Sequence, residues 1–107
     1  MTNEQINIAI AEACGWEPRK DTDGNIIAWQ SPGAYRAFSP DDLPDYCNDL
    51  NAMRDAWLSL SEEDKFVFDK ELQRIILKAK DGQYWLTNAT ALQRAEAFLR
   101  VFGKWKE

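Results

Sequence analysis

The chain has 107 residues, of which 45% are hydrophobic and 29% are charged, and its formal net charge is −5. This composition excludes a disordered tail, and the length predicts a single globular domain over residues 1–107. The acidic balance argues against direct binding of nucleic acid, because phosphate contacts require a basic surface.

The first predicted helix begins at Thr2, which forms a capping-box pattern with Gln5. Gly15, followed by Trp16, is a typical helix end. The predicted apolar face comprises Ile6, Ala9, Ile10 and Ala13.

Residues 16–38 are predicted to be extended. The Asp- and Gly-rich segment 21–25 is strong turn material, and residues 26–29 have the composition of a strand. A second turn at residues 31–33 leads to a short partner strand over residues 34–38.

A polar segment with two prolines, residues 39–45, leads into the second predicted helix, where Pro44 suits the first turn. Its apolar stripe comprises Tyr46, Leu50, Met53, Trp57 and Leu60. Ser61 and Asp64 form the capping signature of a third helix. The apolar positions that follow are Phe68, Leu72, Ile75, Ile76 and Ala79. Residues 65–69 fit a strand as well as a helix, and both interpretations stay open.

Residues 83–87 are predicted to form a strand that precedes the last helix. Thr90 and Gln93 repeat the capping box of the first helix, and Gly103 ends this one. The predicted apolar face comprises Leu92, Ala95, Leu99 and Phe102. The element order α-β-β-α-α-β-α predicts an α+β single-domain sandwich, in which about three antiparallel strands pack with about four helices.

The two cysteines, Cys14 and Cys47, both fall on predicted helices. The first residues lack the pattern of a signal peptide, and no apolar run approaches the ~20 residues that span a bilayer. We therefore expect a cytoplasmic protein with reduced thiols and no membrane partner.

Catalytic motifs are scarce. The sequence contains no histidine, the commonest general base near neutral pH, and no Cys-x-x-Cys pair. Asp21 and Asp23 suggest a calcium loop only superficially, since the sixth and twelfth loop positions hold Ile26 and Pro32. We expect no enzymatic activity, no metal and no cofactor.

Aromatic and cationic residues offer a more specific hypothesis. Guanidinium groups beside aromatic planes hold a base and a phosphate without catalysis. The predicted ligand-binding residues are Trp29, Tyr35, Arg36, Trp85 and Arg94. The alternative interpretation is that the tryptophans belong to the core and that the arginines are ordinary surface residues.

Two other hypotheses assign no small ligand. In the first, an acidic segment binds a basic surface of a host protein and inhibits it; its residues are Asp41, Asp42, Asp45 and Asp49. Acidic residues near a helix start also complement the helix dipole, without any partner. In the second, the chain is a structural accessory protein that self-assembles, for example as a homodimer.

Three blocks of sequence resemble a known family. Residues 88–100 with Gly103-Lys104-Trp105, residues 6–16, and residues 43–53 together resemble small bacteriophage proteins of the phage ABA-sandwich type. The resemblance implies a phage or prophage origin, an α/β sandwich and the cytoplasm of a bacterial host. It brings no catalytic motif. It favours a phage-type binding protein for host interaction or counter-defence. The pairing of aromatic residues with arginines, in a chain without a visible catalytic group, gives this hypothesis its sharpest form, in which the protein sequesters a small nucleotide-like ligand.

Overall fold

Four helices and a small antiparallel sheet make up the described part of the chain, so the predicted α+β class is confirmed. The computed structural model describes residues 1–32, 37–39, 42–78 and 89–106. The elements are α1 (Asn3–Ala13), β1 (Glu17–Lys20), β2 (Ile26–Gln30), β3 (Ala37–Phe38), α2 (Leu50–Leu58), α3 (Glu62–Lys78) and α4 (Ala91–Val101).

The sheet is mainly a hairpin. β1 and β2 pair antiparallel, with Pro18 opposite Trp29, and β3 adds only two paired residues on the other side of β2. The strand predicted over residues 83–87 lies outside the described residues. The predicted element order and the count of three full strands are therefore not confirmed.

The two capping boxes predicted from the sequence are both formed. The Gln5 N–H donates to Thr2 Oγ1 at 3.2 Å, and the Gln93 N–H donates to Thr90 Oγ1 at 3.0 Å. In each case the glutamine side chain accepts a hydrogen bond from the backbone of the threonine in return. Both helices therefore begin where the sequence predicts, because their first N–H groups are satisfied locally.

The ends of α1 and α4 also agree with the prediction. Gly15 and Gly103 have φ values of 98° and 68°, which glycine adopts without steric cost. After α4, the Lys104 N–H donates to the Leu99 carbonyl at 2.9 Å, the long hydrogen bond of a Schellman motif.

The start of α2 was predicted too early. Pro44 does not begin the helix; residues 46–48 form a turn, and Cys47 lies in that turn instead of on a helix. The Asp49 side chain accepts from the Asn51 N–H at 2.9 Å and caps the helix. Because Asp49 is the N-cap, α2 starts at Leu50, six residues after Pro44.

The third helix settles the open choice at residues 65–69, which are helical within α3. Its first turn is capped as predicted, with the Asp64 N–H donating to Ser61 Oγ at 3.1 Å. Phe68, Leu72 and Ile76 are buried. Of the two remaining predicted positions, Ile75 is half-buried and packs against the core, and Ala79 lies outside the described residues.

Helix α4 packs against α1, α2 and α3 and carries most of the core contacts. Its buried positions are Ala91, Ala95, Ala97, Phe98 and Leu99. The predicted face was partly wrong, since Leu92 and Phe102 are exposed. Leu92 lies about 100° around the helix from the buried Ala91, and Phe102 is the C-cap residue at the end of the helix.

The main core is built by the helices and the segments that join them. α1 contributes Ile6 and Ile10 to it, as predicted. Trp29 of β2 is buried as well, but it is not part of that core cluster. Both cysteines are free thiols. Among the described residues, no helix has the length and apolar character required to cross a bilayer.

Candidate functional site

A groove of about 330 Å³ lies where α2, α3 and α4 meet. Among the described residues, it combines an apolar surface with two guanidinium groups, one carboxylate and one indole ring. The lining residues are Leu50, Met53, Arg54, Trp57, Phe68, Asp69, Leu72 and Arg94. Its volume is at the lower end of the ~300–1,000 Å³ of small-molecule sites, which suits a ligand the size of a mononucleotide.

The wall formed by α2 follows from helical periodicity. Leu50, Met53, Arg54 and Trp57 are separated by three or four residues and therefore share one face of α2. This placement corrects the prediction that Leu50 belongs to the core. Leu50 is 53% exposed and lines the groove instead.

The floor of the groove is apolar. Phe68 and Leu72, one turn apart on α3, are buried, and so is Met53 of α2. Polar interactions beside such a surface are stronger than in bulk water, because few water dipoles screen them. The polar groups of the groove are therefore its most informative feature.

Two arginines supply positive charge from different helices. Arg94 lies in the second turn of α4, and its Nε–H donates to the Ala89 carbonyl at 3.2 Å, which holds the side chain beside the start of the helix. The partial positive charge of a helix N-terminus adds to the potential there. Arg54 is exposed on α2 and forms no ion pair with another described residue.

The indole of Trp57 is held by a cation. The Lys65 ammonium lies 4.5 Å from the ring centroid, a distance at which cation–π attraction operates. The same ammonium is 3.4 Å from Glu62 Oε1. Trp57 lines the groove, and Lys65 is not one of the described lining residues. The contact therefore orients the ring without placing the ammonium in the groove.

Of the two predicted ligand-binding residues that the structure describes, Arg94 lines this groove and Trp29 does not. Trp29 is 1% exposed in β2, so its ring offers almost no surface for stacking. Tyr35, Arg36 and Trp85 lie outside the described residues, and their predicted roles stay predictions.

Three lining residues were missed by the sequence analysis: Arg54, Trp57 and Asp69. Trp57 was assigned to the core stripe of its helix, and Arg54 and Asp69 were given no role. The spacing of Arg54 and Trp57 could have identified both, because residues three positions apart lie next to each other on a helix. Asp69 gave no comparable signal, since its place depends on how α3 packs against α2.

The acidic segment has local structural roles. Asp45 Oδ1 accepts from Asn7 Nδ2 at 3.3 Å, and its Oδ2 accepts from Asn48 Nδ2 at 3.0 Å. Asp49 caps α2. Asp42 is exposed, and Asp41 lies outside the described residues. These hydrogen bonds give two of the four aspartates a role in the fold, and the partner-binding hypothesis for the segment stays a prediction.

The cysteines have the character of structural residues. Burial raises the pKa of the Cys14 thiol and that of the Cys47 thiol above the usual 9.0. A raised pKa leaves little thiolate at neutral pH, and the thiolate is the nucleophilic form. Cys14 Sγ lies 3.9 Å from Ser59 Oγ, at the edge of the helical core.

The acidic loop between β1 and β2 is a turn, as predicted. Asp21 Oδ1 accepts from the backbone N–H groups of Asp23 and Asn25, both at 2.9 Å. No group of three or more metal-ligating side chains occurs within the described ranges.

Comparisons with protein-family models, with curated proteins and with solved structures find no match to this chain. The resemblance of its three sequence blocks to phage ABA-sandwich proteins therefore stays a prediction.

Proposed function

We propose that this chain is a non-enzymatic binding protein that holds a small nucleotide-like ligand in the groove between α2, α3 and α4. The observation that carries the proposal is the convergence of Trp57, Arg54 and Arg94 on one apolar groove. An indole plane stacks on a base, and guanidinium groups donate to phosphate oxygens.

The charge of the groove supports an anionic ligand. The chain as a whole has a net charge of −5, yet the described residues that line the groove include two arginines and one carboxylate. Such a local reversal of charge lets an anion bind there despite the unfavourable overall charge.

The phage setting completes the proposal. A protein that binds a nucleotide-like signal without converting it lowers the free concentration of that signal in the host cytoplasm. Host interaction or counter-defence is the corresponding biological role. This biological role depends on the sequence resemblance. The expectation that the ligand is not converted depends on the absence of histidine from the sequence.

Isothermal titration calorimetry tests the binding site. Nucleoside monophosphates are expected to bind more tightly than the corresponding nucleosides or inorganic phosphate, because only the monophosphates offer both a base and a charged group. Arg54→Gln is expected to weaken binding about tenfold or more, as loss of a charge-assisted hydrogen bond does.

Arg74→Gln is the matched control. Arg74 is an exposed arginine of α3 that pairs with Glu71 at 3.4 Å and does not line this groove. Equal weakening by both variants would show a general charge effect and would contradict the assigned site. Absence of binding by any monophosphate would contradict the proposed ligand class.

The hypothesis of an acidic protein inhibitor predicts a different pattern. Capture of a host protein that is salt-sensitive and lost in Asp42→Asn, with no monophosphate binding, would favour the inhibitor over the ligand-binding protein. Asp42 is the appropriate position, because Asp45 and Asp49 stabilise the local fold.

A further inference from the structure

We infer that Asp69 makes the groove selective for guanine among the common nucleobases. The inference builds on the proposed function and adds to it the identity of the base. It starts from a described lining group that the phosphate chemistry does not use, the Asp69 carboxylate, which lines the same groove as the Trp57 indole.

Asp69 is an exposed acidic residue of α3 that lines the groove; Glu63 and Asp64 also form no ion pair with a described residue, but they do not line it. Glu62 pairs with Lys65, and Glu71 pairs with Arg74. Asp69 lies directly after the buried Phe68 and lines the groove, and it forms no hydrogen bond or ion pair with the residues that the structure describes. Its two oxygens can therefore accept hydrogen bonds from a ligand.

A carboxylate would be unfavourable in a site built only for phosphate, because it repels the ligand. Neither Arg54 nor Arg94 forms an ion pair with Asp69, so the carboxylate does not serve to hold an arginine in place. An ionised carboxylate accepts hydrogen bonds and donates none. A base that complements the carboxylate therefore has two neighbouring hydrogen-bond donors, and no acceptor, on the edge that faces it.

Guanine is the common base with such an edge. Its N1–H and its 2-amino group lie side by side and point in the same direction, so one carboxylate accepts from both. Adenine and cytosine pair one amino group with an acceptor nitrogen, and uracil has one N–H between two carbonyl oxygens. A carboxylate facing those edges accepts one hydrogen bond and meets the lone pair of a neighbouring acceptor.

The arrangement of the lining orients the ligand. The base edge faces Asp69 on α3, the ring lies against Trp57, and the phosphate lies towards Arg54 and Arg94. The reverse orientation, which would place the phosphate against the carboxylate, is disfavoured by the repulsion between their negative charges.

The test compares GMP, AMP, CMP and UMP by calorimetry with the full chain. GMP is expected to bind at least tenfold more tightly than the other three, because each of them leaves hydrogen-bonding groups unpaired or opposed. Asp69→Asn is expected to abolish this preference and to favour XMP. Xanthine has a carbonyl oxygen where guanine has its 2-amino group, so an asparagine amide can donate to that oxygen while it accepts from N1–H.

Glu71→Gln is the matched control, since Glu71 is an acidic residue of the same helix outside the groove lining. Binding of all four monophosphates with equal affinity would overturn the inference and leave the proposed function standing. A GMP preference that Asp69→Asn does not change would overturn the role of Asp69. Binding of none of them would overturn the proposed function and the inference together.

Discussion

Leu92 and Leu99 are two turns apart on α4, yet Leu92 is 44% exposed and Leu99 is fully buried. The same residue type on the same helix thus has two different environments. α1, α2 and α3 pack around α4, and Leu99 contributes to the core they form. Hydrophobic periodicity alone places both leucines on one face and does not distinguish them.

Truncating each leucine tests this packing directly. Leu99→Ala is expected to lower the free energy of unfolding by about 2–5 kcal/mol, because it leaves a cavity among three helices. Leu92→Ala is expected to cost less than about 1 kcal/mol, as exposed substitutions do. Urea denaturation followed by circular dichroism measures both values, and equal costs would contradict the observed burial.

The two capping boxes offer a second matched comparison. Thr90→Ala is expected to lower the free energy of unfolding by about 0.5–2 kcal/mol, because the Gln93 N–H loses its acceptor. Thr2→Ala is expected to cost less, because among the described elements the main packing partner of α1 is α4, while α4 packs against three helices. Thr90→Ser, which keeps the acceptor, is the control. A larger cost for Thr2→Ala would mean that α4 is not the central helix.

The contact between Lys65 and Trp57 is expected to contribute to stability. A double-mutant cycle with Lys65→Met and Trp57→Leu is expected to give a coupling energy of about 0.5–2 kcal/mol. The upper part of that range applies when the cation is partly removed from water. The Lys65 side chain is only 19% exposed. The analogous cycle for Lys70 and Phe66, 4.6 Å apart and more exposed, is the control. A coupling near zero for Lys65 and Trp57 would remove the argument that the cation orients the ring.

Stability is expected to fall at alkaline pH. Burial, followed by the neighbouring Cys14, raises the pKa of Tyr46 in the folded state, and burial raises that of Cys14 above 9.0. The unfolded chain therefore loses these protons first. Below about pH 9, these two groups therefore contribute fully to the free energy of unfolding. Their contribution is lost as the pH rises towards their pKa values in the folded state.

Tyr46→Phe isolates this effect. The variant removes the phenol, so its free energy of unfolding is expected to decline less steeply than that of the wild type between about pH 9 and 11. Urea titrations at each pH give the two slopes. Parallel slopes would show that Tyr46 does not contribute to the alkaline decline.

The sequence predicts the ends of helices better than their faces. Capping boxes at Thr2 and Thr90 and the glycine ends at Gly15 and Gly103 are local, since each depends on residues within one or two turns. All four are present in the structure. The start of α2 was missed because Asp49, one of several aspartates in that segment, is the residue that forms the cap.

The groove was harder to predict, because it depends on packing between helices. Of the described lining residues, Arg94 alone was predicted to bind the ligand, and the expected aromatic neighbour was Trp29, Tyr35 or Trp85 instead of Trp57. Trp57 has the spacing of a core residue, and it is packed against the core on one side while it lines the groove. Helical spacing indicates which residues share a face; it does not indicate whether a neighbouring helix covers that face completely.

The central claim is that a nucleotide-like ligand binds in the groove beside Trp57. Nuclear magnetic resonance of the indole N–H groups tests it most directly, because each of the five tryptophans gives its own signal and Trp57→Phe identifies that of Trp57. On titration with GMP, the Trp57 signal is expected to shift, while the signals of Trp29 and Trp105 stay in place. A shift confined to the other tryptophans, or none at millimolar GMP, would contradict the account.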